Sequence, residues 1–376
     1  MTIALTVLGI FVAAVLAFLG LAWALRRGED LARFDTPVDA AAFESCGDPD
    51  GPSAGHAGAV AAIEKLRPQV EGLSRGGMIR FARQFMEDIP AGRRFDCAFR
   101  PVEADGVRCE WVLAPGADPD RRVLYLHGGA FIAGSPHSHR TATCRFSAVA
   151  RAAVLAVDYR LMPEHSRLDL IEDCQRACRW LIEHGPDGSA PLQRLYFGGD
   201  SAGGNLALVL SAWARDTGLR QPDAVVALSP LTDSTYSSPS IRGNLDTDTL
   251  ISTLFGRLAR VPQSVLTWMF ALDNRLRPVN PLVSPVRGDL SGLPPTLLQV
   301  SESEMLYDDA RRYVNKALAA GSPARLQSWP GLLHVWQLFY PEIPEAGEAW
   351  RRIGAFIDAV DGQKPQKTGV RVAQLP

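Results

Sequence analysis

The sequence predicts an α/β protein: a mostly parallel sheet with helices on both faces, preceded by one N-terminal helix apolar enough to span a membrane. Three observations carry that expectation. Short, continuously apolar runs alternate with helical stretches from about Val102 to Val360, where a sheet with one wet face would alternate apolar and polar residues. Glycine-rich turns follow two of those runs, at His127-Gly128-Gly129 and at Gly198 to Gly204. Residues Thr2 to Leu25 carry no charge.

As a helix, Thr2–Leu25 extends about 36 Å, enough for a hydrocarbon core of about 30 Å. Trp23 and Arg26-Arg27 stand where an interfacial aromatic and a charged stop belong. Ala22-Trp23-Ala24 resembles a signal-peptidase site, but no Lys or Arg precedes the run, and the run exceeds the ~7–15 residues of a signal's apolar region. The expectation is a single-pass anchor. Arg26, Arg27 and Arg33 all follow the span, which puts the rest of the chain on the cytoplasmic side. Residues 27–55 are acidic, bear Gly and Pro, and read as linker and loop. Val60–Leu73 and Gly76–Asp88 then show helical spacing. Strands are expected at Arg122–Leu126, Val154–Val157, Leu195–Phe197, Ala224–Leu228, Thr296–Val300 and Arg325–Trp329. Helices are expected at Arg140–Arg151, Leu168–His184, Gly203–Thr217, Asp308–Ala320 and Pro344–Val360. Ser229–Pro295 interrupts this rhythm with a Pro- and Ser-rich insertion holding two apolar helical parts, Leu250–Leu258 and Val265–Leu272. The end, 362–376, reads as a frayed tail.

With 376 residues and a net charge of −2, the chain excludes a nucleic-acid binder working through bulk positive charge. Its six cysteines form no CxxC pair and no metal-ligand spacing, so they read as free thiols; no metal and no cofactor is implied.

The chemistry concentrates at the two glycine-rich turns. Gly199-Asp200-Ser201-Ala202-Gly203 is a G-x-S-x-G pattern lying between the strand Leu195–Phe197 and an apolar helix. Such a turn strains Ser201, requires small neighbours, and aims a helix N-terminus at the serine oxygen. About seventy residues earlier, His127-Gly128-Gly129 ends another strand. The N–H groups of Gly128 and Gly129, with that of Ala202, form a candidate three-donor oxyanion hole. His127 reads as an orienting residue, not a base. The base and its acid should follow later in the chain, in loops at carboxyl ends of strands. His334, after the strand Arg325–Trp329, has that position. His56, His137, His139, His165 and His184 read as ordinary loop or helix-end residues. Glu302, Glu304, Asp308 and Asp309 crowd the loop after Thr296–Val300. Asp308 and Asp309 open a helix, where the macrodipole accounts for them. Glu302 lies close to the strand end.

At these residues the chain resembles the α/β-hydrolase superfamily, and more narrowly the hormone-sensitive-lipase-like (family IV) esterases. The features that carry it are His127-Gly128-Gly129-Ala130, Gly199-Asp200-Ser201-Ala202-Gly203-Gly204, Tyr159-Arg160-Leu161-Met162-Pro163-Glu164-His165 and Ser291-Gly292-Leu293-Pro294-Pro295. Two departures stand out: Ser166-Arg167-Leu168 replaces a Pro-rich continuation, and Glu304-Met305-Leu306 stands where D-P-L is usual. The resemblance implies a helical cap and a catalytic set of Ser201, Glu304 and His334, with Glu304 on the family's acid position. It also implies kinship with the branch of lactone hydrolases and carboxylesterases that use Glu.

The expected organisation is an anchor (1–26), a linker (27–55), an N-terminal helical cap (56–100), a catalytic domain (101–361, with a cap insertion at about 231–285) and a tail (362–376). The expected activity is hydrolysis of short-to-medium acyl esters through an acyl-enzyme. A lactonase, a deacetylase or a formamidase-type amidase would use the same triad. A non-catalytic ligand-binding protein on this fold, as the gibberellin receptors are, would lack the histidine. Leu266, Trp268, Met269 and Phe270 of the insertion point to an apolar acyl or alcohol group, or simply to cap core. The expected partners are a small-molecule ester or lactone and, through residues 2–25, a membrane.

Overall fold

The computed structural model describes residues 2–48 and 51–363. Helix α1 (Thr2–Arg26) leads into a short 3₁₀ turn at Leu31–Phe34 and strand β1 (Phe43–Ser45), then helices α2 (Ala54–Glu64), α3 (Arg67–Val70) and α4 (Arg75–Asp88). Strands β2 (Ala98–Ala104), β3 (Val107–Leu113) and β4 (Asp118–Leu126) follow, then α5 (Arg140–Ala150), β5 (Ala152–Val157) and α6 (Arg167–Glu183). A two-residue hairpin, β6 (His184–Gly185) with β7 (Gly188–Ser189), precedes β8 (Arg194–Asp200), α7 (Ala202–Asp216) and β9 (Ala224–Leu228). The insertion holds α8 (Ser240–Gly243), α9 (Thr249–Ala259) and α10 (Gln263–Asn274). The chain continues through β10 (Thr296–Ser301), α11 (Tyr307–Ala319), β11 (Ala324–Trp329) and α12 (Pro344–Gln363). Of the expected tail, residues 362 and 363 complete α12, and 364–376 lie outside the described residues.

The main sheet runs β1-β11-β10-β9-β8-β4-β5-β3-β2 and is parallel except where β3 pairs with β2 and β5. This is the expected α/β-hydrolase architecture. The all-apolar strands are buried because both faces are covered: α5 and α12 pack on one, and α6, α7 and α11 on the other. The β2–β3 hairpin turns on Asp105-Gly106, both at positive φ, a two-residue turn signal that the strand expectations passed over. The expected helix Val60–Leu73 is broken, because Pro68 cannot continue α2.

Residues 27–45 correct the linker expectation. Leu31 and Phe34 are buried in the main core, Asp35 pairs with Arg312 (2.6 Å), and β1 adds a parallel edge strand against β11. Helix α1 otherwise stands out from the body: the stretch Ile3–Arg26 is long and apolar enough to cross a membrane. Its C-terminal half lies against α10, where Phe18 and Trp268 stack with ring centroids 5.8 Å apart.

Candidate active site

The parallel strands end at nearly one level, since Leu126 pairs with Gly199, Asp200 with Leu228, and Val300 with Ser328. Between β4 and β8 the strand order reverses direction, and in open α/β sheets ligands bind in the crevice at such a point. The turns bearing His127-Gly128-Gly129 and Ser201 meet there.

Ser201 sits between β8 and α7 at φ +51°, ψ −113°, a region that L-residues rarely adopt. Its N–H donates to Leu228 O (2.7 Å) and its carbonyl accepts from Leu231 N (3.4 Å), so the turn is held by the segment after β9. A Cβ on Gly203 would collide with the Leu126 and His127 carbonyls, which is why strand and helix can approach this closely.

His334 follows β11. Its Nδ1 lies 2.5 Å from Glu304 Oε2. The other oxygen of Glu304 accepts from Ser229 Oγ (2.8 Å) and Ser301 N (2.7 Å), and Val335 N reaches Ser229 Oγ (3.4 Å). Ser229 therefore links the backbone beside Ser201 to the histidine–carboxylate pair; the sequence reading missed it, the only signal being its place at the end of β9. Burial by itself draws the His334 imidazole down. The charge of Glu304 and its hydrogen bond outweigh that, with Asp248 and Asp200 adding, and hold it above the ordinary histidine value. Asp248 caps α9 and accepts from Met305 N (2.9 Å); burial first, and the neighbouring Glu304 charge, push its carboxyl up to about 6 against the pull of His334. Of the four crowded carboxylates, the one touching His334 is Glu304. Glu302 accepts from Ser328 Oγ, Asp308 from Ser240 N, and Asp309 from Thr232 and Asp233 N. Among the described residues Ser201 Oγ makes no hydrogen bond, to His334 or to any other group.

Of the expected oxyanion donors, Gly128 N–H donates to Asp200 Oδ1 (3.1 Å) and lies 3.2 Å from His139 Nε2. The same carboxylate accepts from Tyr125 Oη (2.8 Å) and lies 3.3 Å from His139 Nε2. Burial pushes Asp200 up, but the charge and hydrogen bond of His139, with the Tyr125 hydroxyl, hold it below the usual carboxylate range. His139 is thus no ordinary helix-end residue: it is fully buried in this network. The chain then turns through positive φ at Gly129, Ala130 and Phe131, and among the described residues the N–H groups of Gly129, Ala130 and Ala202 have no partner. His127 stacks on Tyr159 (4.1 Å), with Nδ1 2.8 Å from Gly128 O, and burial lowers it to about 3. A neutral, immobile ring suits an orienting residue. Arg83 of α4 ties that helix to the loop through Ile132 O (2.8 Å) and Met162 O (3.2 Å). Arg167, at the departure from the Pro-rich pattern, is buried with its guanidinium 3.1 Å over the Phe131 ring. Of the insertion residues expected to shape an apolar pocket, Leu266 is buried, whereas Trp268 stacks against α1 and Met269 is exposed.

Comparison with known proteins agrees with this geometry. A family model described as alpha/beta hydrolase fold matches residues 123–338, which include Ser201, Glu304, His334 and the His127–Phe131 loop. An acetyl-hydrolase of Streptomyces hygroscopicus is 39% identical over 254 residues, covering 68% of this chain and 80% of its own. The carboxylesterase/phospholipase LipF of Mycobacterium tuberculosis is 40% identical over 260 residues, covering 68% and 65%. Among solved structures, an esterase from the bacterial hormone-sensitive lipase family superposes with a TM-score of 0.70 at 34% identity, covering 82% of this chain and 98% of that one. The chain belongs to this α/β-hydrolase family, among the hormone-sensitive-lipase-like esterases. It is a hydrolase of the carboxylesterase type.

Proposed function

We propose that the chain hydrolyses carboxylic esters of short-to-medium acyl chains through an acyl-enzyme on Ser201, with His334 as proton carrier and Glu304 as its orienting acid. The observation that carries this reading is the buried Glu304–His334 contact, joined through Ser229 to the strained turn that presents Ser201. Ser201 Oγ attacks the ester carbonyl carbon as its proton passes to His334 Nε2. The tetrahedral oxyanion takes the free N–H groups of Gly129, Ala130 and Ala202, in place of the Gly128 donor expected from sequence. His334 then gives the proton to the departing alcohol, and water, deprotonated by the same imidazole, releases the acid. The open Ser201–His334 contact fits a pair that tightens once substrate is bound.

Helices α2–α4 and α8–α10 form the cap over this crevice, tied to it by Arg83, Asp248 and Asn244 Nδ2, which donates to Glu302 O and Glu304 O. Helix α1 anchors the chain in a single pass, with the arginines after it keeping the catalytic part cytoplasmic. The acetyl-hydrolase and carboxylesterase relatives support an ester over the lactone and amide alternatives. The test is a fluorophosphonate probe with p-nitrophenyl esters. Wild type should be labelled at Ser201 and turn over; Ser201→Ala should lose both, its turnover falling by at least about a thousandfold. Near-normal turnover in Ser201→Ala overturns the mechanism.

A further inference from the structure

The cap and the anchor are not separate devices, because α10 is packed along α1. Trp268 Nε1 donates to Phe18 O (3.2 Å) and its ring stacks on Phe18, while Arg277 donates to the carbonyls of Ala24 (2.8 Å) and Arg27 (3.1 Å). From Gln263 to Leu272 the helix QSVLTWMFALDN carries no charge. Leu272, one turn beyond Trp268 on the same stripe, is 71% exposed. A large apolar side chain left in water beside an apolar helix that is itself exposed calls for one covering for both.

We propose that the bilayer holding α1 also covers this face of α10, so that the cap lies in the membrane interface and its crevice draws esters dissolved in the bilayer. The depth is consistent. Phe18 precedes Arg26 by eight residues, or roughly 12 Å of helix. With Arg26 and Arg27 at the headgroups, Trp268 falls near the acyl boundary, where interfacial helices lie and tryptophan concentrates. Charge follows the same plan. An open cleft of about 670 Å³ at the α1–α10 junction is lined by Leu21, Leu25, Arg27 and Arg277, apolar on the anchor side and cationic at the headgroup side, as an anionic lipid requires. The substrate class, lipophilic esters partitioned into the bilayer, rests on the esterase reading above; the docking of α10 does not.

The test uses the full chain in mixed phosphatidylcholine–phosphatidylglycerol vesicles. An environment-sensitive fluorophore on Leu272→Cys, read against the unsubstituted chain labelled in parallel, should emit to the blue and be quenched by spin-labelled acyl chains. Leu272→Glu should lose at least about tenfold in hydrolysis of a long-chain ester dissolved in the vesicles, while water-soluble p-nitrophenyl acetate is cleaved as by wild type; Leu272→Phe should restore the former. A label exposed to water, or equal rates of Leu272→Glu and wild type on both esters, or equal losses on both, overturns the proposal. Extraction of the full chain by alkaline carbonate overturns it too, by removing the anchor. A wild-type chain inactive towards both esters, with the label still quenched, instead strikes the esterase reading and upholds the docking.

Discussion

Glu304 is distinguished from its acidic neighbours by where its two oxygens go. One meets His334 and the other is held by Ser229 and Ser301 N, so the carboxylate is fixed in position and ready to fix a tautomer. Glu304→Gln should therefore cost at least about 100-fold in kcat with the fold retained, whereas Glu302→Gln should cost far less. The pH dependence carries a second signature. In the proposed mechanism His334 is the base and must be neutral, so kcat/KM should rise with pH through a value above the ordinary ~6.5. In Glu304→Gln burial prevails and that inflection should move down. Steady-state pH profiles of both proteins check the sign. An unmoved inflection would exclude the charge of Glu304 as its cause. At Asp200 the prediction concerns the oxyanion loop. Asp200→Ala removes the only acceptor of Tyr125 Oη among the described residues and takes a charged partner from Gly128 N–H and His139 in the interior, which should cost about 3–5 kcal/mol in denaturant unfolding. Asp200→Asn keeps acceptor geometry and should cost less.

Among elements, the segment between α1 and α2 is the one whose role changed most between sequence and structure. A Gly- and Pro-bearing stretch whose apolar residues follow no period gives nothing to read, yet Leu31 and Phe34 reach the core and Asp35 meets Arg312. Phe34→Ala should destabilise by about 3 kcal/mol, measured by urea unfolding of the chain lacking residues 1–26. A change within about 0.5 kcal/mol would mark the segment as the loose linker its composition describes. The β2–β3 hairpin shows the opposite case: its Asp-Gly turn was a legible signal, and only the weak burial of β2 (one buried residue in seven) obscured it.

For the whole molecule, the sheet and both of its helical layers begin after α1, so α1 contributes little to the fold beyond its contact with α10. Deleting residues 1–26 should yield a soluble, two-state chain that keeps p-nitrophenyl ester hydrolysis, as ultracentrifugation and turnover would show. Deleting 1–45 should not, because it takes the Leu31–Phe34 turn and the edge strand β1 as well. Equal behaviour of the two truncations would contradict the docking of 27–45.

What the sequence by itself determined was whatever is encoded within one turn or one element. The strand-to-helix turn of Ser201, the His-Gly-Gly loop, the continuously apolar strands of a two-sided sheet and the uncharged N-terminal run are all local, because turn strain, periodicity and length act between near neighbours. Tertiary structure decided the pairings. Which of four carboxylates meets His334 depends on side chains thirty residues apart. That Gly128 N–H donates to a carboxylate depends on Asp200, 72 residues on. His139 looked ordinary because its partner lies 61 residues away, and residues 27–45 looked like linker because their partners lie on α11 and β11. Long-range hydrogen bonds and burial have no period along the chain. They exist only once the sheet has brought its strand ends to one level.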